Sequence, residues 1–428
     1  MSGVPFGFGV PSGDDEPGKF PPGMENPFAA LFGNDPAAIG AAFAQLGQLM
    51  SYTGGPVNWD LAQDIARKTV SAGGDRSVSE ADKREVDDAV RLAELWLDPL
   101  TVLPAGTAGG LAWSRAEWVE ATLPVWRQLI EPVAARVVDA MGSVVPEEMK
   151  SYALPLLGVM RQMGGAMFGA QVGQALGSLA NEVLGATDIG LPLTPTGRPA
   201  LLPANVAAFG AGLGVDMREV RLYLALREAA HQRLFAHVPW LRAHLLGAVE
   251  AYATGIGIDV SRLEQIVGEL DPTNPEAIQQ ALSDGMFNPE QTPEQTLALN
   301  RLETALALVE GWVDEVAGEA AAAHLGSAAA LRETVRRRRA GGGPAEQTFG
   351  TLVGLELRPR RLRDAAVLWR TLTERRGIDG RDAVWAHPDL LPTSSDLDDP
   401  IGFVEGSTLD LSGLDDLGTP PEDGGPQA

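Results

Sequence analysis

Apolar residues recur at helical spacing through most of the middle of this chain. Val86, Ala89, Val90, Ala93 and Leu97 return every three or four positions, the period that lines one face of an α-helix. Ser79 and Asp82 precede them as a capping box, and Pro99 closes the run. Ser114 with Glu117 opens a second helix that buries Trp118, Leu123, Trp126 and Ile130, and within it Pro124 and Pro132 predict a kink or a break. Between 146 and 185, Gly165, Gly169, Gly173 and Gly177 stand four apart, so on a helix they share a face and let another backbone come close. Asp216 with Glu219 makes a further capping box, for a helix expected to run to Phe235. Pro239 ends it and starts the next, whose apolar face is Leu241, His244 or Leu245, Ala248, Val249 and Tyr252, closed by Gly255 and Gly257. A long helix from Asn300 to Leu325 turns Leu302, Leu306, Val309, Trp312, Val313 and Val316 inward. Strand signals are sparse: 195–206 is the one stretch with extended character, and nothing alternates for long. The pattern predicts a mainly α, multi-helix protein with little strand.

The two ends break the pattern. Residues 1–36 are rich in Gly and Pro, carry Asp14, Asp15, Glu16, Glu25 and Asp35 with a single Lys, and are expected to form a disordered tail. Residues 393–428 hold nine acids and no base and read as a second, acidic disordered tail. The stretch between, 37–392, reads as one helical domain, with a division into two lobes near 186–215 left open.

Charge and composition narrow the chemistry. In 428 residues, 33 Lys plus Arg face 57 Asp plus Glu, a formal net charge of −24. That balance argues against nucleic acid or an anionic membrane as partner. With no Cys there is no disulfide, thiolate zinc site, iron–sulfur cluster or thiol nucleophile. Any metal must use Asp, Glu or one of His231, His237, His244, His324 and His387. The first ten residues lack the basic and apolar regions of a secretory signal, so the chain is expected to be cytoplasmic. The most apolar stretch, Met163 to Leu184, is interrupted by Gln171, Gln174, Asn181 and Glu182, and no membrane partner is expected. Against this acidic background, 332–381 holds 13 Arg and six acids. Arg336, Arg337, Arg338, Arg339, Arg360 and Arg361 form a candidate binding patch. Other readings are docking of the acidic tail, ion pairs with acidic helices, and a phosphate or nucleic-acid site.

One constellation carries chemical content: Arg227-Glu228-Ala229-Ala230-His231, on the helix after Asp216. Residues 227 and 231 share a helix face. A zinc peptidase helix puts His at both positions, and the Glu after the first takes a proton from metal-bound water. Arg227 has no lone pair to donate to an ion. Its guanidinium and Glu228 are candidates to pair with charges such as Glu310, Asp314 or Glu315, with His231 as a hydrogen-bonded core histidine.

On these residues the chain resembles the zincin-like metallopeptidase type 2 family, actinobacterial proteins described as hydrolases or zinc-dependent metalloproteases. The resemblance covers most of 80–405. It rests on GAQVGQALG at Gly169–Gly177, LREAAHQRLFAHVPWLR at Leu226–Arg242, ALVEGWVDEV at Ala307–Val316, and GLELRPRRLRDAAVLW with GRDAVWAHPDLLPT near the end. It implies a zincin-like helical scaffold. It matches Glu228 to the general base and His231 to a second ligand, while Arg227 stands where competent members carry His, and Trp312 where they carry the His of an EGH motif. The remnant pocket is then Arg227, Glu310 and Trp312, with Trp312 and a salt bridge filling the old metal position. The expectation is a catalytically inactive member with no cofactor, acting as a binding protein for a protein or peptide. The alternative is an active zinc-dependent metallopeptidase with Glu228 as base and non-standard ligands drawn from His231, Glu250, Glu310 or Asp314.

Overall fold

A computed structural model describes residues 55–106, 109–143, 147–195, 197–254, 292–340 and 361–406. Helix follows helix, as the periodicity predicts: α1 (Trp59–Ala72), α2 (Glu80–Leu97), α3 (Arg115–Ser143), α4 (Glu147–Ala180), α5 (Pro203–Gly210), α6 (Met217–His237), α7 (Leu241–Thr254), α8 (Pro293–His324), α9 (Ala328–Ala340), α10 (Leu362–Asp382) and α11 (Pro400–Gly406). Among the described residues the only sheet pairs β1 (Leu111–Ala112) in parallel with β2 (Ala200–Leu201), with Gly185 bridging antiparallel to Leu201. No described helix is long and apolar enough to cross a membrane.

Local signals set most boundaries. Ser79 and Asp82 make both bonds of the capping box that starts α2. A second box, Thr292 with Gln295, starts α8 at Pro293 rather than at Asn300. At α6 the box is incomplete: Asp216 accepts from the Arg218 amide, while Glu219 instead takes the Ser327 amide ahead of α9. Pro124 and Pro132 do not break α3, which runs through both. Gly255, Gly257 and 1–54 lie outside the described residues, as do Arg358 and Arg360. Residues 393–406, assigned to the acidic tail by composition, carry turns and α11. Leu397 and Val404 are buried there, and Arg361 pairs with Asp398 and with the Ser394 carbonyl. Two apolar anchors and the ion pairs Arg361–Asp398 and Arg375–Glu405 hold a segment whose charge count alone pointed to solvent.

The glycine ladder of α4 does what its spacing predicts, and its partner is α1. A Cβ on Gly169 or Gly173 would lie 2.4 Å from the carbonyl oxygen of Asn58 or Ala62, and one on Gly177 would lie 2.5 Å from Thr69 Cβ. Only hydrogen fits between these two backbones.

The helices α6 and α8 form the centre, packed on each other and on α2, α7, α9 and α10. Neither has the one-sided burial of a surface helix. In α6 every residue from Leu222 to Phe235 is buried, including Arg227, Glu228, His231, Gln232 and Arg233. In α8 burial runs unbroken from Ala305 to Gly318, including Glu310, Asp314 and Glu315. Charges so enclosed must be paired or hydrogen-bonded, and that requirement organises the site.

Candidate functional site

Glu310, with no solvent exposure, is the hub. Its Oε2 accepts from Arg227 Nη2 at 2.6 Å. Its Oε1 accepts from Arg339 Nη2 and lies 3.2 Å from His231 Nε2. Gly190, at φ 79°, closes the lid of this pocket, because a Cβ there would lie 2.8 Å from Glu310 Oε1. Burial alone would raise the carboxyl's pKa, but Arg339, His231 and Arg227 outweigh it and hold Glu310 far below the usual carboxylate range. The same pairing keeps Arg227 cationic despite burial. His231 Nδ1 lies 2.9 Å from the Arg227 carbonyl oxygen. Both ring nitrogens thus face oxygens that only accept.

Glu228 turns away from this hub. Its Oε2 accepts from Thr187 N (3.0 Å) and Thr187 Oγ1 (2.7 Å), and its Oε1 from Gln232 Nε2 (3.2 Å) and Ala200 N (3.4 Å). Four donors tie α6 to the 184–202 segment through this one carboxylate. Burial pushes its pKa up, moderated by Thr187, His231 and Gln232. No face of the carboxylate is left for a reacting water.

The basic run resolves into inward and outward members. On α9, Arg332, Arg336 and Arg339 recur at i, i+4 and i+7 and meet the acids of α8. Arg332 and Arg336 both donate to Asp314, at 2.8 and 2.6 Å, and Arg332 also reaches Glu315. Burial opposes ionisation of Asp314, yet Arg336 and Arg332 hold its pKa below the ordinary range. Arg338 pairs with Asp188 at 2.8 Å, and Arg339 also donates to the Asp188 carbonyl. Arg337 points to solvent and pairs with Glu333, while Arg361 pairs with Asp364 and Asp398.

Trp312 lies elsewhere. Two residues beyond Glu310, it projects to the far side of α8, where its Nε1 donates to Asp382 at 2.9 Å with the Arg381 guanidinium over the ring. Trp312 therefore does not join Arg227 and Glu310 in the expected remnant pocket; Arg227 and Arg339 are the side chains that meet Glu310. Glu250 is exposed on α7, and His237, His244, His324 and His387 do not join the hub: His324 stacks on Trp96, and His387 caps a short turn. Among the described residues no three His, Asp or Glu side chains gather as metal ligands do. Zinc does not fit this centre: both oxygens of Glu310 are bound by cationic donors, and a protonated guanidinium stands at the first ligand position.

Sequence reasoning brought Arg227, His231 and Glu310 forward. It placed Arg339 in a binding patch rather than against Glu310, and it missed Asp188, Thr187 and Tyr223. The i, i+4, i+7 spacing of Arg332, Arg336 and Arg339 was the available signal, since it sets three cations on one helix face.

A family model described as zincin-like metallopeptidase matches residues 57–404. A crystal structure described as that of a candidate hydrolase with a novel fold, from Chloroflexus aurantiacus, superposes with a TM-score of 0.58 at 21% identity, covering 82% of this chain and 98% of that one. At that identity the likeness is one of fold. No curated protein matches the chain.

Proposed function

The chain belongs to the zincin-like metallopeptidase family, and from that premise we propose that it is a non-catalytic member that uses the scaffold to bind a protein or peptide. One observation carries this reading. Glu310 is saturated by Arg227, Arg339 and His231 at the place where a catalytic ion would need open carboxylate and imidazole lone pairs. His231 keeps the posture of a metal ligand, with Nδ1 anchored on a carbonyl, but its Nε2 is aimed at an oxygen already neutralised. Glu228 is spent on four donors, so the general base of the metallohydrolase reaction has no water to activate. The partner's chemistry follows from charge. The arginines of the network are met by its acids, so the excess of acids behind the net charge of −24 lies in the rest of the chain. A partner presenting Lys and Arg suits that excess.

Metal analysis by mass spectrometry of tag-free protein incubated with excess zinc tests the catalytic half. Zinc far below one per chain, unchanged in His231→Ala, is expected. One zinc per chain that vanishes in His231→Ala, with peptide hydrolysis abolished by Glu228→Gln, refutes it. For the binding half, matched arrays of basic and acidic peptides are expected to show salt-sensitive capture of the basic set; preference for the acidic set refutes it.

A further inference from the structure

The ion network of α6, α8 and α9 contains donors that no atom of the described residues satisfies. Tyr223 has no solvent exposure and its Oη has no partner among them; Arg227 Nη1 and Arg339 Nε are likewise buried and unpaired. Tyr223 and Arg227 stand four residues apart on α6 and so share the face that meets Glu310 and Asp314. The charges of Arg227, Arg332 and Arg336 act on the Tyr223 hydroxyl, as does the Asp314 carboxylate. Burial pushes the phenol up to about 12, so the hydroxyl remains a donor at neutral pH. Two N–H groups and one O–H thus lack acceptors, and leaving each unsatisfied in a dry interior costs about 1–3 kcal/mol.

Charge supplies the second argument. The guanidiniums of Arg227, Arg332, Arg336, Arg338 and Arg339 meet the carboxylates of Asp188, Glu310, Asp314 and Glu315. With Arg370, half-exposed and 3.5 Å from Glu315, six cations face these four anions among the described residues, and counting Glu228 as a fifth anion still leaves the cations in excess. Glu228, on another face of α6, is met by its own four donors and by His231. Asp314, whose charge acts on Tyr223, already accepts from Arg332 and Arg336. Positive charge is thus in excess among the described residues, and the buried Arg227 Nη1 is a guanidinium N–H that no carboxylate meets.

We propose that the network binds one small monovalent anion, of the halide class, between Tyr223 Oη and Arg227 Nη1. A water would accept from both donors but would leave the charge uncompensated, whereas a halide does both and needs no lone-pair donors in return. A cation is excluded, because the guanidiniums of Arg227 and Arg339 are positive and have no lone pair to offer. The centre thereby reverses the charge preference of a zinc site: the positive charge belongs to the protein and the exchangeable ion is negative.

Crystals grown in sodium bromide, with data at the bromine edge, give a direct readout. The expected result is a single internal anomalous peak within hydrogen-bonding reach of Tyr223 Oη and Arg227 Nη1. Thermal unfolding of wild-type protein in sodium chloride and in sodium methanesulfonate at equal ionic strength provides the solution test. Chloride is expected to raise Tm saturably, with affinity about tenfold or more weaker in Tyr223→Phe, the worth of one hydrogen bond to a charged group. Absence of the bromide peak, including its replacement by a water, overturns the proposal, as do equal Tm values in the two salts. Should Tyr223→Phe fail to fold, the wild-type peak and salt comparison still decide it. Zinc content is measured separately, so the anion can fail while the non-catalytic reading stands.

Discussion

Replacing Glu310 by Gln keeps the shape of the side chain and removes its charge, which isolates the electrostatic role of the hub. Among the described residues Glu310 Oε2 is the only hydrogen-bond partner of the Arg227 side chain, which is 9% exposed, with Asp314 and Asp188 acting on its charge from further off. In Glu310→Gln it becomes a buried guanidinium facing a neutral amide. Arg339 retains the Asp188 carbonyl and His231 retains the Arg227 carbonyl, so their losses are partial. Removing one partner of a buried pair costs about 3–5 kcal/mol, because the remaining charge stays desolvated without compensation. Glu310→Gln is therefore expected to lose about that amount in urea unfolding followed by circular dichroism at pH 7, seen as a lower midpoint with an unchanged slope. The converse change, Arg227→Met, leaves Glu310 with Arg339 and His231 and removes a costly buried cation; it is expected to lose about 2 kcal/mol or less. The double variant is expected to be more stable than Glu310→Gln alone, since the stranded cation is gone. A loss below about 1 kcal/mol in Glu310→Gln, or a double variant no better than that single, refutes the account of Glu310 as the charge that makes this core possible.

Acid titration separates the carboxylates by sign. Glu310, Asp188 and Asp314 are held below their ordinary values of 4.5, 3.8 and 3.8, so the stability they contribute is complete above those values and is lost as pH falls toward the lowered folded ones. Glu228 and Glu94, pushed up by burial, act in the opposite sense: stability falls as pH rises from 4.5 through their raised folded values. Urea midpoints measured downward from neutral pH are expected to fall steeply below about pH 4.5 in wild type and less steeply in Glu310→Gln; identical acid limbs refute this. Glu228→Gln turns one acceptor oxygen into an NH₂ facing donors and is expected to cost about 1–3 kcal/mol in the same urea assay, with a change near zero counting against its role as a tie between α6 and the 184–202 segment. On α4, Gly173→Ala is expected to lose about 1–3 kcal/mol by forcing α1 away, whereas Gly164→Ala, where a Cβ meets nothing within 4 Å, is expected to gain up to about 1 kcal/mol of helix propensity. Equal calorimetric Tm shifts for the two variants refute the close-approach reading.

Much of the fold was legible because its signals are local. Caps such as Ser79 with Asp82, the apolar stripe of α2 and the glycine ladder of α4 each act within a few residues of chain, and each produced the element its spacing implies. Where the reading differed, a distant contact decided. Glu219 left its capping box to hold Ser327, across a separation no local rule addresses. The acidic segment 393–406 is ordered by Leu397, Val404 and the reach of Arg361, none of which a charge count weighs.

The site was legible in its residues and opaque in its wiring, for one physical reason. A run of arginines in an acidic chain has two solutions of similar local appearance, a solvated patch or a row of buried counterions, and the choice depends on what the facing helix presents. On α8, Glu310 and Asp314 stand four apart with Glu315 beside them; on α9, Arg332, Arg336 and Arg339 carry the matching period. Each row alone is too costly to bury, and together they are complementary, so burial of one is conditional on burial of the other. Arg227 belongs to the same condition. With a histidine at that position the centre would hold one fewer fixed cation and one more lone pair, and Glu310 would be free to face an ion. A guanidinium there, together with Arg339, satisfies both oxygens of the carboxylate, so the charge that holds α6, α8 and α9 together comes from the chain itself.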